Sequence, residues 1–162
     1  YNTNMYPDSS LNLNYETEDT VYWFSSAYDP FNNWSAHVVK IWDRTFYTAE
    51  HAYHYRKYSE TAPKIAELIS VAPSPWAAMQ IDKANKKDRR ADWSEVRLTI
   101  MTEIVRAKVN QNDDVRQCLI KTKNKKIVEN SPWDNFWGCG PEGKGDNHMG
   151  KLLMLIRGEL GN

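Results

Sequence analysis

The first twenty residues, YNTNMYPDSSLNLNYETEDT, are polar and show no recurring apolar position. Positions 1–20 therefore read as a flexible arm, with Tyr1–Asn4 standing ahead of a natural start at Met5. The pattern then changes. VYWFSS (21–26) predicts a short strand, and AHVVKIWDRTFY (36–47) predicts a hairpin turning near Asp43-Arg44. From position 48 the spacing becomes helical, and Thr48 is placed to cap a helix running to Ser59. Helices are predicted over 62–71 and 74–84, the second opening on Ser74-Pro75, a cap followed by proline in the first turn. The clearest helix covers 92–111, where Val96, Ile100, Met101, Ile104, Val105 and Lys108 share one face and Ser94 is the expected cap. A helix over 113–121, a strand within KKIVEN and a last helix over 149–160 complete the set. Such a series predicts an α+β fold: a mainly helical single domain over 21–160 with a small antiparallel sheet.

Composition narrows the function classes. A chain of 162 residues can bury a core of its own, and its 21 basic and 21 acidic residues cancel. No global field directs it to nucleic acid or an anionic membrane surface. Its two cysteines sit apart: Cys118 is in an apolar helical context and Cys139 stands between glycines. Neither forms a disulfide framework or zinc knuckle, so a reducing cytoplasm is expected. The start lacks a signal-peptide pattern and no run reaches the roughly 18 apolar residues of a spanning helix, so a soluble cytoplasmic chain without membrane partners is expected. Seven Trp and nine Tyr suit pockets that stack on flat ligands, or simply a core.

TAEHAYHYRK, positions 48–57, concentrates chemistry. Zincins place two histidines four apart so that both reach one ion, with a glutamate between them. Here His51 and His54 are three apart and Glu50 lies outside them, so no metal is expected. Glu50 and Lys57 lie seven residues apart, nearly two helical turns, on one face. They read either as a carboxylate and an amine facing a pocket or as an ordinary polar face.

SPWDNFWGCGPEGKGDNHMG, positions 131–150, matches both G-x-G-x-x-G and G-x-x-x-x-G-K. Neither motif fits its context: Gly145 stands where a Walker loop needs Ser or Thr, and Pro141 interrupts the strand-to-helix passage both require. What remains is a glycine-dense loop carrying Lys144, whose backbone N–H groups are suited to a phosphate near the helix start at Asn147. Trp133, Phe136 and Trp137 flank it as stacking surfaces, and Asp134 is a candidate acid, base or ribose-hydroxyl acceptor. A plain loop filling the core is the alternative. KANKKDRRADW (83–93) is either a basic patch or a solvated helix connection, and the zero net charge favours the connection. Trp93 is a core anchor or a pocket wall.

Taken in order, these stretches resemble the NADAR/YbiA-like family. The resemblance rests on Phe31, Asn33 and Trp34; on Thr48, Glu50, His51 and Lys57; on Trp93, Arg106 and Lys108; and on Thr122, Val128 and Glu129. It continues through Asp134, Trp137, Gly138 and Gly140, then Gly145, Asn147, Gly150, Leu152, Leu153, Met154 and Arg157. Asn32 stands where the family usually has Ser, and Val109 where it usually has Phe, departures that bear on substrate fit.

The resemblance implies hydrolysis of an N-glycosidic bond to a ribosyl carbon, without a cofactor. Two substrate classes are implied: guanine bases of nucleic acid carrying ADP-ribose, and phosphorylated riboflavin intermediates. ADP-ribosylated guanine in DNA or RNA is favoured by Lys144, the glycine loop and the basic run at 83–90. Cleaving a ribosyl C–N bond builds oxocarbenium character, which a carboxylate stabilises while an acid assists the leaving nitrogen. Glu50 is the expected carboxylate, with Asp134 second and Lys57 as phosphate partner, acid or amine nucleophile. Asn33, His51, Trp93, Lys108, Trp137, Gly138, Gly140, Lys144 and Asn147 are the expected substrate contacts. The rivals are a non-catalytic ADP-ribose binder and a partner-binding domain whose TAEHAYHYRK helix is merely exposed.

Overall fold

Strand pairing begins earlier than the sequence pattern suggests. The computed structural model describes residues 13–24 and 26–161, so most of the arm expected over 1–20 lies outside the described residues. Within it, Tyr15–Glu16 forms β1, antiparallel to β2 (Thr20–Trp23), with Tyr15 opposite Tyr22 and their rings stacked at 4.5 Å. That aromatic cross-strand pair is what orders a stretch of otherwise polar residues. Contacts divide the chain into two compact units, 13–29 with 122–161, and 30–121.

The first unit is a three-stranded sheet, ordered β1-β2-β5, with one long helix. β5 (Lys126–Glu129) runs parallel to β2, from Thr20 beside Lys126 to Trp23 beside Glu129. The sheet is therefore mixed rather than purely antiparallel. A parallel neighbour needs a long crossover, and here that connection carries the whole second unit in sequence. Helix α6 (His148–Leu160) packs on β5 through Met149, Leu152, Leu153 and Ile156, the spacing of one helical face. Gly150 allows the approach: a Cβ there would lie 2.1 Å from the Ile127 carbonyl oxygen.

The second unit opens with a hairpin, β3 (Val39–Ile41) and β4 (Arg44–Phe46). Its two turn residues are Trp42 and Asp43, both left-handed at φ 55° and 58°, one position before the expected turn. Trp42 tolerates this backbone while its ring stacks on Tyr55 and the Arg56 guanidinium covers it at 5.1 Å. Five helices follow: α1 (Ala49–Arg56), α2 (Pro63–Ser70), α3 (Pro75–Ala84), α4 (Trp93–Gln111) and α5 (Asp113–Lys121). Thr48 and Ser74 cap α1 and α3 as expected. Ser94 does not cap α4. The helix begins at Trp93, and Asp92 at the cap position gives its carboxylate to Arg90 instead, at 2.6 and 3.1 Å.

Helix α1 is the centre of this unit, touching α2, α3, α4 and both strands of the hairpin. Ala49 and Ala52 are fully buried in it. Surrounded on most sides, it also has to bury polar side chains, including His51, His54 and, just past its end, Lys57. Those side chains need internal partners, and they have them.

Candidate active site

Thr48 both starts α1 and fixes its first histidine. Its Oγ1 accepts from the His51 N–H at 3.2 Å and lies 2.7 Å from His51 Nδ1. The other ring nitrogen, Nε2, must donate to the Ala72 carbonyl, 2.9 Å away, so the neutral ring carries its proton on Nε2. Burial holds its pKa below the usual value, consistent with that tautomer. At 1% exposure with both nitrogens engaged, His51 anchors the helix.

His54, one turn on, is the centre of the polar interior. Its Nε2 donates to Glu50 Oε1 at 2.7 Å, while Nδ1 lies 3.0 Å from Lys57 Nζ and 3.2 Å from Asp82 Oδ2. Asp82 comes from α3 and is 2% exposed. It accepts from Lys57 Nζ (2.8 Å), Tyr58 Oη (2.6 Å) and both arms of the Arg89 guanidinium (2.7 and 2.5 Å). Burial alone would raise the Asp82 pKa, but His54, Arg89 and Lys57 outweigh it and hold the carboxyl well below the usual range. Burial would likewise lower His54, but hydrogen bonds to Asp82 and Glu50 reverse the sign and raise it. For Lys57 burial wins over the attraction of Asp82, and its ammonium pKa is depressed. The Lys57 Nζ also sits over the Tyr53 and Trp93 rings, at 4.9 and 5.5 Å, which brings Trp93 to the edge of this polar cluster.

Asn33 joins the same constellation through its backbone. Its carbonyl accepts from the Glu50 N–H at 3.0 Å, and its amide nitrogen lies 3.6 Å from the Met101 sulfur. Lys108 acts behind it. Its Nζ donates to the Asn32 carbonyl (2.8 Å) and Ser35 Oγ (2.7 Å), clamping the turn that carries Asn33. Lys108 is 2% exposed, and burial pushes its pKa down to about 7. Ser35 continues through His37 Nδ1 (2.7 Å) to Asp114 on α5, 2.6 Å from His37 Nε2.

The other expected contacts belong to the first unit. Asp134 Oδ1 accepts from the Phe136 and Trp137 N–H groups at 2.9 and 2.8 Å, a local turn that orients Trp137. The glycine loop does not offer the phosphate cradle its letters suggest. The N–H groups of Cys139, Gly140, Gly143, Gly145 and Asn147 all donate to backbone carbonyls, and those of His148 and Met149 at the start of α6 donate to Phe136 and Trp137. Close packing explains the glycines better. A Cβ at Gly138 would meet the Glu129 oxygen at 2.9 Å, and one at Gly140 would meet Asn135 Oδ1 at 2.0 Å. Asn147, left-handed at φ 52°, binds β5 by donating to the Ile127 carbonyl and accepting from the Glu129 N–H, both at 2.9 Å. Lys144 is exposed. A cavity of about 290 Å³ in this unit is lined by Tyr15, Tyr22, Lys126, Asn130, Cys139 and Gly143, among others.

Four members of the inner network were not among the expected site residues: His54, Tyr58, Asp82 and Arg89. The Glu50–His54 and His54–Lys57 spacings, four and three, were the available signal for His54. Asp82 and Arg89 gave no local sign, and Arg89 was hidden in a run read as a solvated connection. That run in fact divides: Lys83, Lys86 and Lys87 are exposed, whereas Arg89 turns to Asp82 and Arg90 to Asp92. Among the described residues no group of three or more His, Cys, Asp or Glu is arranged to hold a metal, and no helix is long and apolar enough to cross a membrane.

Comparison with known proteins matches the chain to one family. A sequence model of the NADAR domain covers residues 14–161. An N-glycosidase of Nostoc punctiforme is 38% identical over 146 residues, 88% of this chain and 94% of that protein. The N-glycosidase YbiA of Escherichia coli is 32% identical over 157 residues, 95% of this chain and 97% of its own. The NMR structure of YbiA superimposes with a TM-score of 0.79 at 31% identity, covering 91% of this chain and 88% of that one. A chloroplastic riboflavin biosynthesis protein of Zea mays is 32% identical over 143 residues, 80% of this chain and 23% of that protein. The chain belongs to the NADAR domain family.

Proposed function

We propose that this N-glycosidase cleaves a ribosyl C1′–N bond and that its substrate is guanine of a nucleic acid carrying ADP-ribose. The observation that carries the reading is the second unit's buried set of Glu50, His54 and Lys57. It links a carboxylate through a histidine to an amine nearly two helical turns away, whose pKa is depressed by burial. Glu50 stabilises the positive charge that develops on the ribosyl carbon, and in its protonated form assists the departing base nitrogen. Lys57, over the faces of Tyr53 and Trp93, meets the sugar or its phosphate. The exposed lysines at 83, 86 and 87, in the same unit as Glu50, favour a polyanionic substrate.

A second reading, hydrolysis of a phosphorylated riboflavin intermediate, is favoured by the likeness to the Zea mays protein. Incubating the protein with ADP-ribosylated guanine DNA and with a riboflavin-pathway N-riboside separates the two. The expected result is guanine release from the DNA, about 10²–10³-fold slower in Glu50→Gln. Faster turnover of the N-riboside selects the second reading. Cleavage undiminished in Glu50→Gln removes Glu50 from the chemistry.

A further inference from the structure

We infer that His54 is a positioning residue that sets the protonation of Glu50 and Lys57 together, by passing a proton between them. This rests on reading Glu50 and Lys57 as the reacting groups of an N-glycosidase. The geometry is a three-member chain in which every gap is a hydrogen bond: Lys57 Nζ to His54 Nδ1, 3.0 Å, and His54 Nε2 to Glu50 Oε1, 2.7 Å. Only an imidazole, with two nitrogens on opposite edges, joins an amine on one side to a carboxylate on the other.

The proton count can be followed. The transfer starts from the microstate in which Lys57 carries the ammonium, Glu50 the negative charge, and the His54 ring a single proton, on Nε2. One proton leaves Lys57 Nζ for His54 Nδ1 as the Nε2 proton passes to Glu50 Oε1. Lys57 is then a neutral amine, His54 remains neutral with its proton on Nδ1, and Glu50 is a carboxylic acid. The two charges of the resting state disappear inside a buried site, and two useful groups appear: a nucleophilic amine and an acid for the leaving nitrogen.

The surroundings allow the move. The charged groups facing His54 are Glu50 and Lys57 from its own side and Asp82 from α3, with α4 contributing the uncharged Trp93 ring beside Lys57. Asp82 would be left a buried, unpaired carboxylate if Lys57 were its sole cation. It is not: the Arg89 guanidinium holds both Asp82 oxygens and Tyr58 holds one. Lys57 can lose its charge without isolating Asp82. Arg89 thus acts as the counter-charge that frees Lys57.

Two measurements test this, one of them independent of any substrate. In the uninhibited, substrate-free protein, long-range ¹H–¹⁵N spectra of His54 and of the Lys57 Nζ are expected to titrate in shared steps, and Lys57→Met is expected to move the His54 midpoint by about one pH unit. Titrations that proceed independently in the wild-type protein overturn the inference. In turnover, His54→Gln keeps a donor for Glu50 but cannot take up a proton, so a purely structural role would survive it. The expected result is a fall in kcat of about 10²-fold with KM within about threefold, and loss of the alkaline or acid limb of the pH–rate profile. An unchanged profile with kcat retained overturns the inference. Failure of the wild-type protein to release base from any N-riboside removes the functional reading alone, because the titration still decides whether Lys57 and His54 share the proton.

Discussion

Asp82→Ala is the perturbation that most directly probes the polar interior of the second unit. Asp82 is 2% exposed and accepts from Lys57, Tyr58 and Arg89, with His54 at 3.2 Å. Alanine leaves Lys57, His54 and Arg89 facing one another with no carboxylate between them. Removing one partner of a buried charge pair costs about 3–5 kcal/mol, a large share of the roughly 5–15 kcal/mol that holds a domain folded. With a urea slope of about 2 kcal/mol per molar, that is a midpoint lowered by about 1.5–2.5 M, readable by tryptophan fluorescence. Asp82→Asn, which keeps the shape and loses the charge, falls between. The pH dependence carries a sign. The folded pKa of Asp82 is depressed, so its contribution is complete above the unfolded value of about 3.9 and is lost as pH falls through the folded one. The variants therefore approach wild-type stability in acid. A midpoint lowered by less than about 0.5 M at neutral pH, equivalent to about 1 kcal/mol, would refute the claim that Asp82 holds this cluster together.

Lys108 gives the complementary case. Its folded pKa of about 7 lies below the ordinary lysine value, so between those limits the unfolded chain binds more protons and stability rises with pH. Wild type is expected to gain on Lys108→Met in thermal melts taken from pH 7 to pH 9.5, and a pH-independent difference would contradict this. Two glycines of α6 should respond in opposite directions to the same substitution. Gly158→Ala, with nothing within 4 Å of the new Cβ, is expected to stabilise by about 0.5–1 kcal/mol. Gly150→Ala, whose Cβ would collide with the Ile127 oxygen, is expected to destabilise by about 1–3 kcal/mol or more. Equal effects in urea titrations would show that the α6–β5 approach is not limited by that contact.

What was legible in the sequence was local. Thr48 and Ser74-Pro75 marked two helix starts because a cap and its helix are neighbours in the chain, and α5 begins and ends where the pattern placed it. The parallel pairing of β2 with β5 was not legible, since Val21 meets Ile127 across the entire second unit in sequence. Nor was the Trp42-Asp43 turn, where a bulky residue takes a left-handed backbone because distant rings and guanidinia enclose it. The glycine loop was legible as a constraint but not as its cause. Its letters satisfied two phosphate motifs, while the structure turns its N–H groups inward and gives Gly138, Gly140 and Gly150 steric reasons to lack a side chain.

The two histidines of TAEHAYHYRK show why a helical face is better evidence than adjacency. Successive residues of a helix are turned by about 100°, so His51 lies about 100° from Glu50, whereas His54 is displaced by about 40° and Lys57 by about 20° the other way. Geometry alone thus assigns Glu50, His54 and Lys57 to one side and sends His51 to another. The structure follows that division, with His51 bonded to Thr48 and Ala72 and His54 between Glu50 and Lys57. What no helical wheel contains is the fourth member. Asp82 arrives from α3, 25 residues beyond Lys57, and makes the buried cations tolerable. A single carboxylate from a second helix is what turns a polar stripe, costly to bury at the centre of five packed elements, into a fully partnered hydrogen-bonded row.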